Sequence, residues 1–190
     1  MGRQEQTNHL FSNRDLRILL VPLIVEQILN SLMGTADSIM VSNVGSAAIS
    51  AVSLVDSINI LVIQAFYALA AGGTIVCSQY IGQKDKKNAE ESARQLSFVV
   101  ACISSAVMAV CLLTRGPLLR LIFGSVEADV MEAAQTYFFY TALSFPFIAL
   151  YDAGSSIYRA QGNTRLPMTI AVVSNGLNIA GNAVLIWGFH

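Results

Sequence analysis

The 190-residue chain is 54% hydrophobic and 12% charged, about half the roughly 25% charge of an ordinary soluble domain, and its mean hydropathy is +0.58. That balance excludes a water-solvated globular domain, and a net charge of −1 leaves no electrostatic footprint for a nucleic-acid partner. Runs of about twenty residues without Lys or Arg point to an all-α integral membrane protein.

Residues 1–15 are polar and read as a cytoplasmic segment. They carry no small-residue cleavage site, so the first apolar run is expected to stay in the mature protein. Residues 16–190 read as one transmembrane helical domain, with no linker or low-complexity tract to divide it.

The first expected span, 16–41, holds Glu26 and Asp37, and no span interior supplies a Lys or Arg to pair with them. A charge at the bilayer centre costs on the order of 2.5–3.5 kcal/mol, so such acids must face a watery cavity, bind a cation or take up a proton. The eleven-residue step from Glu26 to Asp37 ends only about 20° past three full helical turns. With Asn30 and Gly34 between them, they form a narrow polar stripe suited to a water-filled pathway. Pro22 lies in the same span, where a proline removes a backbone hydrogen bond and makes a kink or a hinge.

The second span, 47–80, carries Asp56, with Asn59 one turn on and Gln64 two turns on, a cavity-lining pattern. Gly72 and Gly73 near its end permit close helix packing. The loop "GQKDKKNAEESAR" balances its basic residues with acids and reads as solvated. The third span, 95–114, holds Cys102 and Cys111; with Cys77 they make an odd count inside apolar runs, so they read as buried hydrophobes. The fourth span, 133–157, contains Pro146 and Asp152, and Asp152 shares a helical face with Arg159, seven residues on. The fifth, 167–189, sets Asn175, Asn178 and Asn182 within about 60° of one another. Those amides either complete a cation site or hydrogen-bond between helices.

Nine basic residues fall on one side of these spans: Arg3, Arg14, Arg17, Lys84, Lys86, Lys87, Arg94, Arg159 and Arg165. Arg115 and Arg120 fall on the other. The asymmetry puts the N-terminus in the cytoplasm and the chain in the cell membrane as a multi-pass protein. No HExxH, GxSxG, P-loop or intramembrane Cys–His pair occurs, which argues against an enzyme or an ATP-driven pump.

Several stretches resemble the multidrug and toxic compound extrusion (MATE) transporters. "VPLIVEQILNSLMGTADSIMVSNVG" matches the family's helix-one proline, followed fifteen residues later by an acid. "AAGGTIVCSQYIGQKDKKNA" resembles the end of helix two and its loop. "YRAQGNTRLPM" resembles the loop between helices four and five, and "NGLNIAGNAVLIWG" resembles helix five. The resemblance implies a twelve-helix fold in two six-helix lobes, exporting organic and often cationic compounds in exchange for Na+ or H+. It implies that Asp37 is the essential helix-one acid and that Asn178 joins it in the cation site. Asn182 falls where some members carry a second aspartate, so one titratable group is missing from that pattern. Glu26, Asn30, Asp56 and Asn175 are expected around the substrate cavity, and Pro22 matches a proline of proposed helix bending. No resident cofactor or metal is expected beyond Na+ at Asp37 and Asn178.

Five spans amount to an incomplete N-terminal lobe. The expectation is therefore a truncated secondary transporter whose partners are membrane lipids, small organic cations, and the missing C-terminal lobe or a second chain. Two alternatives are a lipid-linked precursor flippase of related fold, which calls for a basic cavity, and a non-transporting membrane scaffold, which has no use for buried acids.

Overall fold

The protein is described by a computed structural model covering residues 13–42, 45–124 and 126–187, with side chains described for all of these except 13, 36–42, 182, 183 and 185–187. Five helices account for almost all of it: α1 (Asn13–Ser42), α2 (Ser46–Gly82), α3 (Lys86–Phe123), α4 (Ala128–Ala160) and α5 (Arg165–Trp187). Among the described residues there is no strand.

The helix ends follow from local chemistry. Asp85 caps α3 by accepting from the Asn88 backbone N–H at 3.2 Å. Glu91 then pairs with Arg94 at 2.7 Å, and this polar start carries α3 well beyond the expected 95–114 into the preceding polar segment. Hydrogen bonds from Arg94 and Gln95 hold the Glu91 carboxyl below its usual range. At the other end of α3, Gly124 adopts φ 65° and returns its N–H to Arg120 O at 2.9 Å. Gly162 (φ 78°) stops α4 in the same way, with its N–H on Arg159 O at 2.9 Å. A left-handed backbone of this kind is open to glycine without steric cost.

α2, α3 and α4 pack on one another around a continuous core. α4 supplies its spine through Ala134, Phe138, Ala142, Phe145, Ala149 and Ala153, spaced at three to four residues along one face. Small residues alternate with phenylalanines, so the backbones approach closely where an alanine faces them, and the rings fill the gaps between. Phe66 of α2 meets Phe145 edge-on, with ring centroids 6.0 Å apart. α1 and α5 form a second pair, joined to the first three through narrower α1–α2 and α4–α5 contacts.

Among the described residues, three helical stretches are by themselves long and apolar enough to cross a membrane: Arg14–Thr35, Ser46–Gly82 and Lys86–Phe123. α4 and α5 are not among them by length and hydropathy, and α4 is the most enclosed helix. Wedged between α2 and α3, it presents fewer of its residues outward. The outer surface is instead built of large apolar side chains such as Leu61, Phe98, Leu113 and Phe147, a surface suited to lipid and not to water.

The two neighbouring glycines of α2 behave differently. A Cβ on Gly73 would run into the Leu96 side chain of α3, whereas one on Gly72 meets nothing within 4 Å among the described residues. Gly73→Ala should therefore lower stability by about 1–3 kcal/mol through overpacking. Gly72→Ala should gain up to about 1 kcal/mol from helix propensity. Thermal unfolding of the two variants side by side checks the pair, and a Gly73→Ala protein as stable as Gly72→Ala would show that Leu96 yields freely.

Candidate functional site

Between α2 and α4 lies a cavity of about 290 Å³ with a polar floor of Asp56, Asn59, Tyr137, Thr141 and Ser144. Its walls are apolar, from Ile60 and Ile63 on α2 and from Phe145 and Ile148 on α4. Helical spacing assembles both sides. Asp56 and Asn59 are one turn apart on α2, while Tyr137, Thr141 and Ser144 recur at four and three residues on α4.

The Tyr137 hydroxyl donates to Asp56 Oδ1 at 3.1 Å, and Asn59 Nδ2 donates to the same oxygen at 3.4 Å. Thr141 and Ser144 donate to carbonyls of their own helix, Phe138 O at 3.3 Å and Thr141 O at 2.6 Å. Asn59 is 7% exposed, and no donor among the described residues reaches its buried Oδ1. Gln64 does not join this lining and is exposed, since eight residues turn a helix about 80° off register. A second, wider recess of about 610 Å³ adjoins at Tyr137 and carries Asp129, Glu132 and Tyr140.

Glu26 corrects one expectation. It was expected to have no basic partner, yet Arg159 reaches it from α4, with Nη1 at 3.1 Å from Oε2 and 3.2 Å from Oε1. The Tyr151 hydroxyl adds a contact to Oε1 at 3.4 Å, and Glu26 is 4% exposed. Arginine's long stem lets a residue near the end of one helix carry its charge inward to another. Glu26 is thus enclosed in an ion pair instead of standing open on a cavity. Asp152 feels the charges of both Arg159 and Glu26, and its buried Oδ2 has no hydrogen-bond partner among the described residues. Thr164, just before α5, donates to Ile18 O of α1 at 3.4 Å, tying the α4–α5 connection to the same end of α1.

The polar residues of α1 and α5 lie on helices that pack side by side. Asn30 is exposed and Asn178 half-buried. Asn175 is buried and donates one amide N–H to Ala171 O of its own helix at 2.7 Å. Asp37 and Asn182 belong to α1 and α5, but their side chains lie outside the described residues. Pro22 sits buried within a helix that continues through it. Among the described residues no three His, Cys, Asp or Glu side chains stand together as a metal site, and the three cysteines are unbridged.

Sequence reasoning missed Tyr137, Tyr151, Thr141, Ser144 and the reach of Arg159. A signal existed for three of them: Tyr137, Thr141 and Ser144 share the periodicity that exposed the stripes of α1 and α5. No sequence signal pointed from Arg159 to Glu26, because that contact joins helices 133 residues apart in the chain.

A sequence model of the MatE family matches residues 22–184. The uncharacterized transporter YisQ of Bacillus subtilis (strain 168) is 34% identical over 184 residues, which cover 97% of this chain and 39% of YisQ. The probable multidrug resistance protein NorM of Thermotoga maritima is 26% identical over 178 residues, 92% of this chain and 37% of NorM. The solved outward-facing structure of a multidrug resistance MATE family transporter superposes with a TM-score of 0.85 at 22% identity, over 92% of this chain and 38% of that one. The chain therefore spans about two-fifths of the length of the relatives it matches. With the family model covering most of its residues and the helices laid out as in a solved member, the chain belongs to the MatE family of transporters.

Proposed function

We propose that this chain is the N-terminal part of a cation-coupled antiporter that exports organic cations by alternating access, with its N-terminus in the cytoplasm of a cell whose plasma membrane it spans. The observation that carries the reading is the Asp56 cavity, which offers a carboxylate at the floor and apolar walls above it. That combination suits an amphipathic cation, whose charge meets the acid while its body meets the isoleucines and Phe145. The neighbouring recess with Asp129 and Glu132 supports the same sign of cargo.

Asp37 of α1, with Asn178 and Asn182 of α5, is the proposed binding place of the coupling Na+ or H+. A carboxylate with amide oxygens can serve either ion. Asn30 and Asn175 belong to the same helix pair, and Pro22 is the proposed hinge in α1. Rocking of one bundle against another needs a second lobe, supplied by further sequence or a second chain. A flippase for lipid-linked precursors calls for a basic cavity, and the floor of this one is acidic.

The test is efflux of ethidium, a fluorescent organic cation, from cells carrying the full-length protein. Asp37→Asn should reduce efflux to the level of cells lacking the protein while membrane insertion stays normal. Efflux at the wild-type rate would remove Asp37 from the mechanism.

A further inference from the structure

Two carboxyl groups and one guanidinium act on one another between α1 and α4, so the cluster of Glu26, Asp152 and Arg159 is short of one positive charge. Glu26 takes both contacts of Arg159 Nη1, at 3.1 and 3.2 Å, and that of the Tyr151 hydroxyl at 3.4 Å. Asp152 is left over. Its Oδ2 is buried and receives no donor from any described residue, while Oδ1 is not closed off in that way. Side chains of a helix lean toward its N-terminus, so Arg159 leans back toward Asp152, two turns before it. Glu26 from α1 and Arg159 from α4 are the charged groups that act on Asp152. Among the described residues, none on α2, α3 or α5 does so.

A bare carboxylate with an enclosed, undonated oxygen is costly, and more so beside a second acid. One proton on Asp152 brings the cluster to zero net charge and leaves Arg159 wholly to Glu26. Without that proton, Asp152 draws on the same guanidinium, and the hold of Arg159 on Glu26 is divided. That hold matters because, among the described residues, no backbone of α1 comes close to that of α4. The long side chains of Glu26, Tyr151 and Arg159 span the gap instead. α1 is also the helix that carries Pro22 and Asp37.

We infer that the Glu26–Asp152–Arg159 cluster is a proton-binding site, with the proton held on Asp152, and that its loading keeps α1 docked against α4. The site is separate from Asp37, and the inference stands whatever cargo the chain carries. The docked arrangement binds the extra proton, so acid favours docking and docking weakens as pH rises. Protonation of Glu26 would act in the opposite direction, because it breaks the ion pair.

Hydrogen exchange of the full-length protein in lipid nanodiscs tests it, read as the ratio of α1 to α3 exchange rates in one sample. The ratio cancels the direct effect of pH on exchange chemistry. In the wild type it should rise with pH, by up to about tenfold per pH unit, the slope for one proton. Asp152→Asn, which keeps the shape and carries no charge, should hold the ratio within about twofold of the wild-type value in acid. Asp152→Ala, which adds no amide donor, should do the same. A packing role alone for Asp152 would raise the ratio in both variants at every pH, and that result overturns the inference. So does a pH response that survives both variants. The wild type decides the matter even if neither variant folds: a flat ratio overturns the inference, and a ratio that rises on acidification does so by placing the proton on Glu26.

Discussion

Arg159→Leu is expected to cost the fold about 3–5 kcal/mol, the loss typical when one partner of a buried ion pair is removed. Glu26 is 4% exposed, and Arg159 supplies its charged contacts at 3.1 and 3.2 Å. Without the guanidinium, the carboxylate must remain charged in a low dielectric, take up a proton or draw in water. Tyr151, with its single contact at 3.4 Å, cannot replace that charge. The damage should also be directional. α1 and α4 meet through these side chains, while the α1–α5 pair is joined to α2–α3–α4 by narrow contacts elsewhere. Loss of the pair should therefore loosen α1 and α5 before the three-helix core. Thermal unfolding in detergent measures the cost, and hydrogen exchange by helix measures the order of opening. Replacing both partners, Glu26→Leu with Arg159→Leu, should return most of the stability, since an apolar pair of similar volume is often neutral relative to a buried ion pair. A single Arg159→Leu variant as stable as the wild type would mean that water screens the pair.

Phe145→Ala should be comparably severe, at about 3–5 kcal/mol. Its ring is fully buried, stacks edge-on with Phe66 at 6.0 Å, and sits in the spine that α4 presents to α2 and α3. The same ring walls the Asp56 cavity, so truncation also enlarges the space above the carboxylate. Chemical unfolding gives the stability loss, and Phe145→Leu, which keeps most of the volume, should lose far less. Equal costs for the two variants would mean that the site collapses around either side chain and that the ring edge contributes little. Because lipid is as apolar as the core, helix association here depends on contact quality more than on removal of surface from water. That is why a single ring in a packed spine carries so much.

Much of the architecture was legible in the sequence because the bilayer imposes it on each helix separately. Long apolar runs without basic residues, separated by polar loops, must be spanning helices. The 3.6-residue period then showed which polar groups share a face: Asp56 with Asn59, and Asn175 with Asn178. The end of α3 was less legible. Its start at Lys86 depends on a cap at Asp85 and on the Glu91–Arg94 pair, so the helix runs out of the apolar stretch into water.

The sequence by itself determined the class of the protein, the five helices found among the described residues, the family it belongs to and the positions of the acids within its apolar runs. All of these are properties of one segment read at a time, enforced by hydrophobicity and helical periodicity. Only the tertiary structure decided what those acids meet. It gave Glu26 an arginine from α4, 133 residues away, and it gave Asp56 a tyrosine 81 residues away. Both contacts depend on which helices pack together and in what rotation. That is settled by the alternation of alanine and phenylalanine along α4 and by the close approach at Gly73, and no single segment contains it.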